Sequence, residues 1–315
     1  VSKQRERPVC HIHIDCDDSW TYEQDYELVD VGTTPSIYDE ALPWFLEQLR
    51  ARNLKATFFV VGRDLERENA RRFIAAAARD GHWIANHSYT HADLSRLTRA
   101  GKEEEIVRGH EAIAELAGTP PRGFRAPKYY LDDDIAGILL RLGYRYDSSI
   151  LPGPAALLMR SYFLLSPTLS LKNTFGRGDY FTETRNVGRL AGEGATSLYE
   201  VPIATMPFFR LPIHTTFVYK FGTRYLDIAL NLLKRIPGPH VYLFHAVDFA
   251  GTDGAGSHIK ALPANAWKAG DRRVLIGSIL DRFADAFTVQ ALEETLTAGA
   301  LIRGQSRRRP PINAS

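Results

Sequence analysis

Apolar and polar positions along this chain keep switching between a period of two and a helical period. The switching predicts a run of strand–helix units. Residues 9–16 are an apolar run with histidine interleaved, ending in acids. They predict a buried first strand that carries Asp15, Asp17 and Asp18 at its C-terminal end. Residues 36–52 read as a helix: Ser36 can cap, Glu40 follows, and Leu42, Phe45, Leu46 and Leu49 form one face. Residues 56–61 are a β-rich run ended by Gly62, and 69–79 an alanine-rich helix stopped by Gly81. A short strand over 83–85 leads at once into Asn86-His87-Ser88-Tyr89-Thr90-His91. A helix over 102–117, a strand and turn over 123–127, a helix over 132–142 and a strand over 144–148 continue the rhythm. Gly118 and Gly143 are the helix stops.

Residues 152–194 break the rhythm, with an apolar stretch over 155–159, then Arg160, Tyr162 and Phe163, then a polar, glycine-containing segment. This predicts an insertion over one face. Strands over 197–204, 241–245 and 287–291 and helices over 223–235 and 274–287 follow, with a short helix behind the last strand. Repeated parallel βα units imply an α/β fold, either an open sheet or a barrel. Polar residues gather at the C-terminal strand ends, where such folds place their sites. The basic segment 303–315, with Arg307-Arg308-Arg309 and two prolines, reads as a disordered tail.

Composition narrows the classes. A length of 315 residues suggests two domains at about 150 residues each, although single α/β barrels reach about 250. Hydrophobic residues at 44% and charged residues at 24% exclude disorder for most of the chain. A net charge of +2, from 39 basic and 37 acidic residues, argues against a dedicated nucleic-acid binder. The two cysteines, Cys10 and Cys16, exclude a disulfide-stapled scaffold and a Cys-only zinc site. Any metal must therefore be held by histidine and carboxylate. No apolar run reaches the roughly 18 residues of a membrane-spanning helix, and residues 1–7 lack the apolar core of a signal peptide. The expected location is the cytoplasm, with peripheral membrane contact as the alternative; a chain that starts at Val leaves a removed leader open.

Four clusters carry candidate chemistry. His87 and His91 are four residues apart and can meet one metal from a helical turn or a tight loop; the plain alternative is two unrelated surface histidines. Asp15-Cys16-Asp17-Asp18 crowds three carboxylates at a strand end, which calls for a cation or an arginine, or else is a solvated acidic turn or helix N-cap. Arg125, between apolar neighbours, can hold a carboxylate bidentately or lay its stem on the surface. His245 ends an apolar strand. It is either a satisfied core residue or, next to Asp147 or Asp248, a general acid.

In this order, these motifs resemble the NodB-type polysaccharide deacetylases (carbohydrate esterase family 4). The family's H-[ST]-x-x-H motif matches His87-Ser88-Tyr89-Thr90-His91, its R-x-P motif Arg125-Ala126-Pro127, and its late leucine–histidine motif Leu243-Phe244-His245. The segments 56–62, 81–87 and 203–208 also resemble family phrases. The first motif differs from the common adjacent aspartates followed by glycine. It resembles a subgroup with D-x-D and a nearby tryptophan and tyrosine, here Trp20 and Tyr22. In that register, preferred for those aromatics, Asp15 is the base and Asp17 a metal ligand. In the adjacent-aspartate register Asp17 is the base and Asp18 the ligand.

The resemblance implies a deformed (β/α) barrel over residues 9–302, with an N-terminal extension over 1–8, the insertion at 152–194 and the tail at 303–315. One site running from Asp15 to His245 implies a single domain. The implied activity is metal-dependent hydrolysis of an N-acetyl group on an amino sugar in a poly-, oligo- or lipid-linked saccharide. Asp17, His87 and His91 would bind one divalent metal, Zn2+ first, with Co2+, Ni2+ or Fe2+ also fitting. Asp15 would be the base, Arg125 its clamp, His245 the acid supported by Asp147, and the Lys128 backbone N–H an oxyanion donor. Trp20, Tyr22, Tyr129 and Tyr130 can stack on sugar rings or pack into loop cores. The apolar 155–165 segment can touch a membrane or lipid-linked sugar, or be a buried helix. The competing readings are an allantoinase-like or cyclic-imide-hydrolase-like C–N hydrolase and a catalytically silent carbohydrate-binding relative. The oligomeric state stays open.

Overall fold

Strand β1 (Val9–Cys16) is buried along nearly its whole length, and its alternation divides it between two faces. Cys10, Ile12, Ile14 and Cys16 join the main hydrophobic cluster under the helices. His11, His13 and Asp15 alternate with them and turn to the other face, where the barrel interior lies. The structure is a computed structural model that describes residues 7–26, 36–153, 183, 185–236, 238–250 and 267–297.

Parallel strands β2 (Ala56–Val60), β3 (Trp83–Asn86), β4 (Gly123–Phe124), β5 (Tyr146–Asp147) and β7 (Leu198–Glu200) extend from one side of β1. β8 (His240–His245) pairs parallel on its other side, and β9 (Thr288–Val289) pairs with its first two residues. β6 (Gly188–Ala191) closes the far edge antiparallel to β7, giving the order β6-β7-β5-β4-β3-β2-β1-β8. Single-residue bridges from Ile203 to Val241 and from His214 to Leu243 bring the chain beyond β7 back onto β8. The sheet thus curls into the expected deformed (β/α) barrel, with a seam of isolated bridges in place of a ladder.

The helices are α1 (Ser19–Tyr26), α2 (Ala41–Ala51), α3 (Glu68–Arg79), α4 (Arg99–Ala117), α5 (Asp133–Arg141), α6 (Thr215–Phe221), α7 (Thr223–Leu233), α8 (Ala269–Ala286) and α9 (Leu292–Thr297). α2 buries the face read from sequence, Leu42, Phe45, Leu46 and Leu49, together with Ala41. Phe45 stacks on Phe249 with centroids 4.4 Å apart, so truncating it to alanine would cost about 3–5 kcal/mol. Thr98 caps α4 by accepting from the Gly101 N–H, and Gly118, at φ 69°, ends it.

The differences from expectation have local causes. α1 has no apolar period; the Asp18 carboxylate accepts the Ser19 N–H at 2.8 Å and the Asp18 carbonyl accepts the Thr21 N–H at 2.9 Å. The strand expected over 197–204 stops at Glu200, because Ile203 leaves β7 to bridge β8. α8 begins before its expected start because its first turn (Gly270, Asp271, Arg272, Arg273) is polar and shows no apolar stripe. The stretch read as an insertion is corrected at its end, where residues 188–191 join the sheet as β6. Its residues 154–182, with Arg160 and Tyr162, lie outside the described residues, as do the tail 303–315 and residues 1–6. Cys10 and Cys16 are free and buried. No described helix is long and apolar enough to cross a membrane.

Candidate metal centre and active site

The C-terminal ends of β1, β3, β4 and β8 bring the candidate residues together. Asp17, His87 and His91 are buried, with one ligand atom from each inside a sphere of contacts no wider than 4.8 Å. Asp17 Oδ1 lies 3.2 Å from His87 Nε2 and 3.4 Å from His91 Nε2. The histidine motif is a tight loop. Its first residue donates its backbone N–H to Val60 O at 2.9 Å. Ser88 and His91 take positive φ values of 63° and 56°, a costly conformation for residues other than glycine. Glu105 of α4 holds the loop by accepting from the N–H groups of Tyr89 and Thr90, at 3.1 and 2.8 Å, and from the Thr90 hydroxyl at 2.7 Å. Gly109 lets α4 come this close: a Cβ there would sit 2.4 Å from Asn86 Oδ1 and 3.0 Å from Ser88 O.

The donor set fits a divalent cation. His87 Nδ1 lies 2.7 Å from the Arg125 carbonyl, so in the neutral ring Nδ1 carries the proton and Nε2 turns a lone pair inward. That lone pair meets Asp17 Oδ1, which is itself buried without a hydrogen bond. Converging lone pairs of this kind are satisfied by a metal ion. Burial alone would raise the Asp17 pKa, but His91 and His87 hold it below the ordinary carboxylate range. Burial opposes a charge on His87, yet Asp15 and Asp17 raise its pKa.

Asp18 is turned elsewhere. It accepts from Ser19 N at 2.8 Å, Ile37 N at 3.0 Å, Ser36 Oγ at 2.7 Å and Arg67 Nη2 at 2.5 Å. Arg67 also reaches Asp64 at 2.6 Å, and Asp64 accepts the Trp20 indole N–H at 2.7 Å. Trp20 is thereby held at the start of α1, with Arg63 over its ring at 4.8 Å.

Beside the triad, Arg125 is fully buried and its donors are matched. Nη1 donates to Asp15 Oδ1 at 2.6 Å, Nε to Ser148 O at 2.8 Å, and Nη2 to Ser148 Oγ at 2.9 Å. Nη2 also lies 2.8 Å from His13 Nδ1, and the guanidinium sits over the Phe59 ring at 4.2 Å. Arginine stays protonated, so His13 Nδ1 must accept and the ring must be neutral. Burial, with the Arg125 charge, holds the His13 pKa well below its ordinary value. Asp15 Oδ2 faces His245 Nε2 at 3.9 Å, and β1–β8 pairing sets the two residues opposite each other. The Tyr129 hydroxyl is 3.0 Å from His245 Nε2.

One expectation needs correction. Asp147 does not reach His245; its oxygens accept from Ser149 N at 2.9 Å and Ser149 Oγ at 2.7 Å. Asp248 is the carboxylate at His245, accepting its backbone N–H at 3.0 Å. The cause is register: Asp147 pairs with Phe124 and Glu200 on the far arm of the sheet, while Asp248 follows His245 in the same turn. Of the aromatics, Tyr129 reaches the site. Tyr130 turns to Asp132 at 3.0 Å, and Tyr22 is half-buried on α1. Lys128 lies in the turn after Arg125 with φ 57°. Sequence reading missed His13, Ser148 and Ser149. For His13 a signal existed, since His11, His13 and Asp15 alternate with apolar residues along β1.

A family model described as polysaccharide deacetylase matches residues 26–146. Over those residues the chain is similar to the NodB-type polysaccharide deacetylases. Among family relatives, the peptidoglycan-N-acetylglucosamine deacetylase of Bacillus cereus is 35% identical over 91 residues, covering 28% of this chain and 31% of the relative. The chitin deacetylase of Colletotrichum lindemuthianum is 32% identical over 120 residues, covering 36% of this chain and 48% of the relative. The chain thus spans less than half the length of these relatives. A solved structure of a polysaccharide deacetylase candidate from Mycobacterium smegmatis shares the fold, with a TM-score of 0.60, 20% identity and coverage of 100% of this chain and 97% of that one. The family-model match ends short of the first-strand aspartates and of His245, so those residues are joined to the family's histidine and arginine motifs by the fold.

Proposed function

We propose that this chain is a member of the polysaccharide deacetylase family and hydrolyses the N-acetyl group of an amino sugar in a poly-, oligo- or lipid-linked saccharide. The observation that carries the reading is the Asp17–His87–His91 cluster lying next to an arginine-clamped Asp15, with His245 opposite. A bound divalent cation would polarise the acetyl carbonyl and make an attacking water more acidic. Two imidazoles and one carboxylate suit zinc first, and also cobalt, nickel or iron.

The chain's own groups supply the rest. Asp15 Oδ1 is engaged by Arg125, which leaves Oδ2 to take the proton of the attacking water. Arg125 orients that carboxylate through its bond to Oδ1. The Lys128 N–H, in the turn after the arginine, would donate to the developing oxyanion. His245 protonates the departing amine, a step an amide needs because its nitrogen leaves poorly unprotonated. His245 retains 18% side-chain exposure against 2% for Asp15, which fits an acid at the mouth and a base within.

The test is acetate release from N-acetylated oligosaccharides and lipid-linked N-acetylamino sugars, with and without a chelator. Release that stops with chelator and returns with Zn2+ is expected, and Asp15→Asn should lower turnover by about 100- to 10,000-fold with metal still bound. Release that persists in chelator would sink the metal mechanism. No release from any substrate would sink the deacetylase reading.

A further inference from the structure

Asp147, corrected above as a partner of His245, is a fully buried carboxyl whose contacts converge on a different part of the site. Its Oδ1 accepts the Ser149 hydroxyl at 2.7 Å, and its Oδ2 accepts the Ser149 N–H at 2.9 Å. With its proton fixed on Asp147, the Ser149 hydroxyl turns a lone pair outward. That lone pair accepts the Ala126 N–H at 2.8 Å. The relay therefore has one direction: the carboxyl orients the hydroxyl, and the hydroxyl holds a backbone N–H.

Ala126 opens the turn that matters most to the proposed chemistry. Its carbonyl accepts the Tyr129 N–H at 3.2 Å. Inside the turn, Lys128 and Tyr129 both hold positive φ values, 57° and 60°. Two consecutive left-handed residues that are not glycine cost about 1 kcal/mol or more each and persist only where the flanks are fixed. One flank is Arg125, gripped by Ser148 through its carbonyl and hydroxyl. The other contact is the Ala126 N–H on Ser149. The end of β5 thus receives donors from both residues that lead into the turn.

The neighbour of Asp147 supports an anchoring role over a charge-supplying one. Asp147 and Glu200 stand opposite each other in the β5–β7 register, and burial raises the Asp147 pKa, which disfavours its charged form. Nothing in this arrangement is aimed at His245.

We propose that Asp147 is a positioning residue that acts through Ser149 to hold the Ala126 N–H, and with it the 126–129 turn that presents Lys128 N–H and Tyr129. The inference rests on the deacetylase reading for its kinetic consequence, but its structural content stands apart from it.

The experiment compares the wild-type full chain with Ser149→Ala, Asp147→Asn and the double variant. The measurements are amide hydrogen exchange over residues 124–131, metal content, and kcat and KM on an N-acetylglucosamine oligomer. Ser149→Ala should accelerate exchange at 126–129 and lower kcat by about 10- to 100-fold, as expected for a misplaced turn. KM should stay within about twofold and metal content unchanged, since the turn acts in the transition state. Because Asp147 acts through Ser149, the double variant should be no slower than the slower single variant, within about twofold. Wild-type exchange and kcat in Ser149→Ala would overturn the proposal, as would losses that multiply in the double variant. If the wild type releases no acetate, the deacetylase reading falls and the exchange comparison alone decides: faster exchange in Ser149→Ala upholds the anchor, and unchanged exchange overturns it.

Discussion

Asp17 and Asp18 are adjacent in sequence and turn their carboxylates to different partners. Asp17 faces His87 and His91, at 3.2 and 3.4 Å. Asp18 accepts from two backbone N–H groups, a serine hydroxyl and Arg67. One peptide unit therefore separates a carboxylate whose inward Oδ1 accepts no hydrogen bond from one rich in donors. The second fixes the turn from which the first projects.

This division predicts opposite outcomes for two substitutions. Asp17→Asn should strip the metal, measured by elemental analysis of purified protein, and leave the melting temperature of the metal-free form close to that of metal-free wild type. Asp18→Ala should keep the metal but leave the Ser19 and Ile37 N–H groups unsatisfied, costing about 1–3 kcal/mol in thermal or urea unfolding. Metal lost from Asp18→Ala and kept in Asp17→Asn would reverse the register.

His13 predicts a test of how firmly Arg125 must be held. Its Nδ1 lies 2.8 Å from Nη2, inside a barrel where no solvent can substitute. His13→Leu removes that acceptor from a buried charged donor, a loss of about 1.5–3 kcal/mol for a hydrogen bond to a charged group. The guanidinium should then loosen its grip on Asp15, and kcat should fall by roughly tenfold or more at unchanged metal content. His13→Asn places an amide oxygen near the position of Nδ1 and should recover most of the loss. Equal kcat values for the two variants would show that the acceptor is unimportant.

Much of this was legible from residue pattern. The buried strand with acids at its end, the helix face of Leu42, Phe45, Leu46 and Leu49, and the glycine stops all follow from local periodicity and backbone geometry. The site motifs sit at strand ends, so strand order alone brings them near one another. What stayed hidden depends on contacts between distant segments. Ser148 and Ser149 look like ordinary turn residues until β4–β5 pairing lays them beside Arg125 and Ala126. The choice between Asp147 and Asp248 as the carboxylate at His245 needed the register of the far arm, which no spacing reveals. α1 was missed because capping by Asp18, and not an apolar stripe, marks its start.

Tyr129 separates two roles that sequence left open, stacking on a sugar and contacting the acid. Its hydroxyl lies 3.0 Å from His245 Nε2. Burial pushes its own pKa well above the usual phenol value, so it stays protonated. Tyr129→Phe keeps the ring and removes the hydroxyl. If the contact with His245 matters, kcat should fall about fivefold, corresponding to about 1 kcal/mol for one hydrogen bond, with KM little changed. If stacking is the role, Tyr129→Phe should match wild type and Tyr129→Ala should raise KM. Steady-state kinetics on one oligosaccharide distinguishes the two.

Glu293 predicts a pH dependence of stability that originates in the barrel floor. Its carboxyl accepts the Tyr146 hydroxyl at 2.6 Å and the Thr57 hydroxyl at 3.3 Å. Burial pushes its pKa up from 4.5 to about 7, against the hydrogen bonds that pull it down. Between those values the folded state binds more protons than the unfolded state. The stability it contributes is therefore complete below about pH 4.5 and is lost as pH rises through about 7. Glu293→Gln has a similar shape and no proton to lose. From about pH 5 to 8 the stability of the variant relative to wild type should rise, by up to about 3 kcal/mol for a shift of this size. Unfolding midpoints of the two proteins measured across that range provide the check. A difference that stays flat, or moves in favour of wild type, would mean that Glu293 does not titrate in the folded barrel over this interval.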